Sequence, residues 1–143
     1  MAAGALARAA EMVGLAQRIL DLAVEYVKVR EQSGQPVGAF QAVQHQCADM
    51  LRDVEGARYI TYRAAGALDQ SGRAGAEVAM AKAYAGDACL RVARRGHQVM
   101  GAIGYCEEHD LHRLHKRIQA GALDFGDSRA HLDTIANDLG LAR

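Results

Sequence analysis

The sequence predicts an all-α fold, an antiparallel four-helix bundle of long helices with a short extra helical segment. Three observations carry this expectation. Apolar residues recur at steps of three and four over long stretches, and the breaks between those stretches carry Gly or Pro. The composition is rich in Ala, with one proline, no tryptophan and few β-branched residues, which is the balance of a helical chain. No strand is expected. The 143 residues, 50% hydrophobic and 24% charged, fit one compact domain with an ordinary core.

The first helix is expected from about residue 5 to residue 30, with Val13, Ala16, Leu20, Ala23 and Val27 on one face and Arg8, Arg18, Asp21, Lys28 and Arg30 elsewhere. It must stop at Ser33-Gly34-Gln35-Pro36, because Gly34 takes a left-handed position cheaply and Pro36 disfavours helical geometry in Gln35. The second helix is expected from about Ala39 to Asp69, with a stripe of Phe40, Val43, Cys47, Met50, Val54, Ala57, Ala64 and Leu68. At about 1.5 Å per residue it would be about 45 Å long, so it needs long partners to pack on. Gln70-Ser71-Gly72 is the polar break that turns the chain back.

The third helix, about Gly75 to Gln98, carries Val78, Ala81, Ala85, Ala88 and Val92, and its small residues permit close approach of a neighbour. Gly101-Ala102-Ile103-Gly104 stops it. A short helical segment around Asp110 to Arg117, an irregular stretch Ala120 to Asp127 and a last helix from about Ser128 to Leu139 follow, with Ser128 as the expected N-cap.

Charge excludes several function classes. The 17 basic and 17 acidic side chains balance, leaving no net field to steer toward phosphate backbones or an anionic bilayer. No nucleic-acid or membrane partner is therefore expected; a small ligand or other protein chains are. Cys47, Cys89 and Cys106 are odd in number and widely spaced, which argues against a disulfide framework and for a reducing cytoplasm. Arg8 and Glu11 interrupt the apolar start, so it lacks a secretory core. An alanine-rich start already in helical rhythm reads as entry into the middle of a helix, as in an excised domain.

Two ordered motifs carry a family resemblance. The stretch from Tyr26 to Gln41, with Tyr26, Arg30, Gly34, Pro36, Phe40 and Gln41 in place, resembles the C-terminal signature of acyl-CoA dehydrogenases. Downstream, His97-Gln98-Val99-Met100-Gly101-Ala102-Ile103-Gly104-Tyr105 is similar to that family's Q-x-x-G-G-x-G-[YF] loop, and Val13 to Asp21 matches the stretch that precedes the first motif. The resemblance spans the whole chain but only the last third of a usual member. The N-terminal helical and middle β domains of that family are absent from this sequence.

The resemblance implies the C-terminal domain of an FAD-dependent acyl-CoA dehydrogenase, an oxidoreductase of fatty acid metabolism that performs α,β-dehydrogenation of acyl-CoA thioesters. It implies a homo- or hetero-oligomer, a dimer of dimers, in which this domain contributes to a neighbour's flavin site. Arg30 matches the arginine that reaches the flavin pyrophosphate, a role suited to a permanent multidentate cation. Gln98 and Gly101 match the loop that binds the same cofactor. By themselves, Arg30 also reads as a cation near a helix C-terminus and Gly101 as a helix stop.

The sequence departs from the family pattern at four places. Ser33 stands where Phe is usual and Ala102 where the second glycine is usual, so these two also belong to the cofactor-binding candidates. Leu123-Asp124-Phe125-Gly126-Asp127-Ser128 replaces Y-E-G-T-S, with Phe125 at the position of the usual base. Gly4 stands where other members place the base instead. Either Asp124 or Asp127 has taken over as the catalytic carboxylate, or this chain supplies none. In the second case it is a non-catalytic helical oligomerisation subunit or module, inactive by itself.

Rival constellations are weaker. His109, His112 and His115, beside Glu107, Glu108 and Asp110, suggest a metal cluster. Steps of three drift about 60° each time on a helix, which splays the outer pair, and no metal is expected. His45 and His97 read as core or interface histidines. A di-iron bundle would need Glu-x-x-His pairs, and Leu111 follows Glu108 at that spacing. No Walker loop, nucleophile elbow or Rossmann fingerprint is present.

Overall fold

The computed structural model describes residues 2–71 and 74–141. Three long helices, α1 (Ala2–Val29), α2 (Gln41–Ser71) and α3 (Gly75–Met100), run up, down and up, and α4 (Leu111–Leu123) completes a four-helix bundle. The fifth helix, α5 (Ser128–Asp138), lies across α3. The all-α expectation holds.

The stripes of α1 and α3 and half of the α2 stripe define the core; Phe40 is exposed, and Val43, Cys47 and Leu68 are only half-buried. Val13, Ala16, Leu20, Ala23 and Val27 of α1 are buried, as are Met50, Val54, Ala57 and Ala64 of α2 and Val78, Ala81, Ala85, Ala88 and Val92 of α3. Small residues set the spacing: a Cβ on Gly96 would come within 2.6 Å of Ile19 Cγ2, so α1 and α3 meet where only hydrogen fits. Cys89 lies in the same core, and burial pushes its thiol up to about 12, which keeps it protonated and inert.

One ionic staple joins α2 to α3. Asp53, only 2% exposed, accepts hydrogen bonds from Arg91 Nε (3.1 Å) and Nη2 (2.9 Å) and from Arg95 Nη1 (2.7 Å). Burial works against its ionisation, but the two guanidinium groups prevail and hold the carboxyl below its ordinary value.

The structure corrects three readings. A strand is present after all: β1 (Glu31–Gln32) pairs antiparallel with β2 (Gln35–Pro36), Gln32 opposite Gln35. Ser33 (φ 54°) and Gly34 (φ 79°) are both left-handed, the signature of a type I′ hairpin. The α4 helix runs on to Leu123, past the expected end at Arg117 and through part of the stretch read as irregular. The N-cap of α5 is Asp127, whose Oδ1 accepts from Ala130 N at 2.9 Å; Ser128 instead donates to Asp87 Oδ2 at 3.0 Å, tying α5 to α3. Of the expected break at Gln70-Ser71-Gly72, Gly72 lies outside the described residues.

Candidate functional site

The candidate residues divide between the two ends of the bundle. At the end where α1 and α3 finish, the Arg30 amide donates to Tyr26 O (2.9 Å) while its carbonyl accepts from Val37 N (2.7 Å). Arg30 thus links the last turn of α1 to the hairpin. Its side chain is exposed, and among the described residues its guanidinium has no partner. Ser33 sits exposed at the hairpin tip.

Gln98, Gly101 and Ala102 lie at the same end, all exposed. Gly101 adopts φ 61°, ψ −140° and returns its N–H to His97 O, a conformation closed to residues with a Cβ. Open space surrounds the position. Beneath this loop, His97 is 6% exposed; its Nε2 lies 2.9 Å from His115 Nδ1, and Tyr105 stacks on it at 4.6 Å. Burial lowers the pKa of both imidazoles; His109 and His112 further disfavour charge on His97, and His97 and Arg94 disfavour charge on His115. His115, taken with His109 and His112 as a row of three, turns inward against His97.

At the opposite end, the turn after α4 faces the start of α1. Phe125 is left-handed (φ 59°) and its ring lies against Gly4: a Cβ there would come within 2.5 Å of Cε1. The two positions at which a base was sought are therefore neighbours, and a phenyl ring fills the space between them. Asp124 pairs with Arg8 at 2.8 Å, and Arg8 also binds Glu11 at 2.5 Å. The hydrogen bonds from Arg8 and Arg117 hold the Glu11 carboxyl below its ordinary value. Asp127 caps α5. Both candidate carboxylates thus have structural partners.

Lys82, absent from the sequence-derived candidates, joins this end. It is 1% exposed, and its Nζ donates to Ala122 O (2.9 Å) and Gly126 O (2.8 Å). Gly4 and Arg30 are separated by the whole of α1, about 40 Å at the helical rise. Within one chain the exposed cation and the Phe125 turn cannot serve one small-molecule site.

This fold and these motifs match known proteins. Residues 1–140 fit the family described as "Acyl-CoA dehydrogenase, C-terminal domain". The chain belongs to the acyl-CoA dehydrogenase family. It is 43% identical over 113 residues to glutaryl-CoA dehydrogenase of Desulfococcus multivorans, covering 78% of this chain and 29% of that protein. The solved butyryl-CoA dehydrogenase of Megasphaera elsdenii superposes with a TM-score of 0.90 at 32% identity, over 94% of this chain and 35% of that one. The ChsE4-ChsE5 complex of Mycobacterium tuberculosis superposes with a TM-score of 0.93 at 31% identity, over 99% and 39%. The chain thus spans about a third of the length of these relatives.

Proposed function

We propose that this domain serves an FAD-dependent acyl-CoA dehydrogenase by completing a flavin site on a neighbouring subunit, and that it supplies no catalytic base. The observation that carries this reading is the separation of its two ends. An exposed Arg30, unpartnered among the described residues, stands about 40 Å along α1 from the Phe125 turn, so the two ends would serve different sites in a homo- or hetero-oligomer.

The hairpin end fits a flavin's pyrophosphate. Two helix C-termini, of α1 and α3, project partial negative charge there, so anion binding depends on a cation, and Arg30 is placed to supply it. Gln98 offers an exposed amide, and left-handed Gly101 lets the backbone approach closely. Ser33 and Ala102 lie exposed at the same end of the bundle. When bound, flavin supplies the hydride acceptor for dehydrogenation of an acyl-CoA thioester; this domain's own residues bind and orient it. The parts of the cleft found in the longer relatives would come from outside these residues.

The opposite end favours a silent role. Asp124 is engaged by Arg8 and Asp127 by the α5 amides, and Phe125 offers only hydrocarbon. Should flavin not bind, the same facts support a non-catalytic oligomerisation module.

Fluorescence titration of FAD with the purified chain, alongside sedimentation to record its assembly state, tests the reading. Saturable quenching is expected. A lost charge-assisted contact of about 1.5–3 kcal/mol predicts that Arg30→Ala weakens binding about 10- to 100-fold. An assembled chain that leaves FAD emission unchanged, or binds it equally well as Arg30→Ala, refutes the flavin role.

A further inference from the structure

Lys82 is the largest fully buried side chain among the described residues. A cation is retained in such a place only where its donors are used, because desolvation disfavours the charged form; burial accordingly pushes the ammonium down from its ordinary pKa, with the Asp124 and Asp127 charges opposing. No carboxylate lies in ion-pair contact with it among the described residues. Its partners are backbone carbonyls, and their location is informative. Ala122 belongs to the last turn of α4, whereas Gly126 lies beyond it. A cation that merely capped α4 would stop at the helix carbonyls. This one spans the turn.

The turn needs such a hold. Asp124 (φ −61°, ψ 138°) and Phe125 (φ 59°) form a type II turn closed by Gly126 N to Leu123 O at 3.3 Å. The left-handed third position of that turn favours glycine, and here it carries phenylalanine, whose exposed ring recovers little by burial. His131 Nε2 meets Phe125 O at 3.1 Å from the solvent side, so the turn is gripped on two faces.

We propose that Lys82 is a positioning residue, whose ammonium fixes the Leu123–Asp127 turn through the carbonyls of Ala122 and Gly126 and so determines what the turn presents to the start of α1. The functional weight of this rests on the reading that the turn stands at the family's base position and in this chain presents hydrocarbon there. The test below reads the turn itself, so its failure is separable from a failure to bind flavin.

Hydrogen exchange of the 123–130 amides and chymotryptic cleavage after Phe125 would be compared in the wild type, Lys82→Met and Lys82→Arg. Lys82→Met keeps the apolar stem and removes the donors; it should raise exchange and cleavage in the turn about tenfold or more while the α2 amides keep their protection. Lys82→Arg, which keeps charge and donors, should recover most of that protection. Equal protection of the turn in Lys82→Met and wild type overturns the proposal. So does equal loss across all helices, or equal effects of Met and Arg, because a purely structural core residue would give those results. Should Lys82→Met not fold, the ammonium 15N–1H resonance of wild-type Lys82 decides: a signal persisting at neutral pH, where exposed lysine signals are lost to exchange, supports the proposal, and its absence overturns it.

Discussion

Replacing Asp53 by Asn removes one charge and almost no volume from the staple between α2 and α3. Asp53 is 2% exposed and holds three guanidinium hydrogen bonds. Breaking a fully buried pair costs about 3–5 kcal/mol. Here the Arg91 and Arg95 side chains are 41% and 27% exposed and can turn to water once released, which reduces the expected loss to about 2–3 kcal/mol. At roughly 4 °C per kcal/mol for a domain of this size, the melting temperature should fall by about 8–12 °C at pH 7. The pH dependence has a definite sign. The folded pKa of Asp53 is depressed, so its stabilisation is fully present above the unfolded value, about 3.9, and is lost as pH falls toward the folded value. Thermal melts followed by circular dichroism should show the gap between wild type and Asp53→Asn constant down to about pH 5 and narrowing below it. A gap under about 2 °C at pH 7, or one that widens in acid, would show that the staple does not stabilise the bundle as argued.

Two further substitutions probe the packing and the hairpin. Gly96→Ala places a Cβ 2.6 Å from Ile19 Cγ2 in the core, and should cost about 1–3 kcal/mol despite Ala's better helix propensity; a denaturant midpoint at or above wild type would contradict the close α1–α3 approach. Ser33→Asn puts a residue tolerant of left-handed geometry at the first position of a type I′ turn and should stabilise by a few tenths of a kcal/mol, raising the melting temperature by about 1–2 °C; a lower value would argue against the positive φ at Ser33.

The bundle was legible wherever the apolar rhythm was long. The stripes of α1 and α3 predicted from spacing are all buried, because a 3.6-residue period repeated over many turns leaves one orientation that hides it. The second half of α4 was not legible, since Gly121 reads as a helix break and Gly126 follows soon after; Gly121 and Ala122 are nonetheless helical. In space they are small so that α4 can lie on α1: a Cβ on Gly121 would come within 3.0 Å of Met12 Cγ. Two-residue strands have no periodicity to detect, so the hairpin showed only as a Gly and a Pro. The exposed candidates Arg30 and Gln98 were found by motif, but the inward turn of His115 and the function of Lys82 were not. A lysine among apolar residues reads as an interruption until the carbonyls that satisfy it, some forty positions away along the chain, are seen in place.

The contact between Gly4 and Phe125 makes one small volume accessible both from the first turn of α1 and from the turn after α4. A ring issuing from the turn requires bare hydrogen on the first turn of α1; a long side chain issuing from α1 would require little at the turn. The two positions are therefore bound by a trade in size. A reactive group could change its place of attachment from one to the other among related chains while its tip stayed where the reaction needs it. In this chain a glycine and a phenyl ring stand at the two attachments, and hydrocarbon holds the place between them.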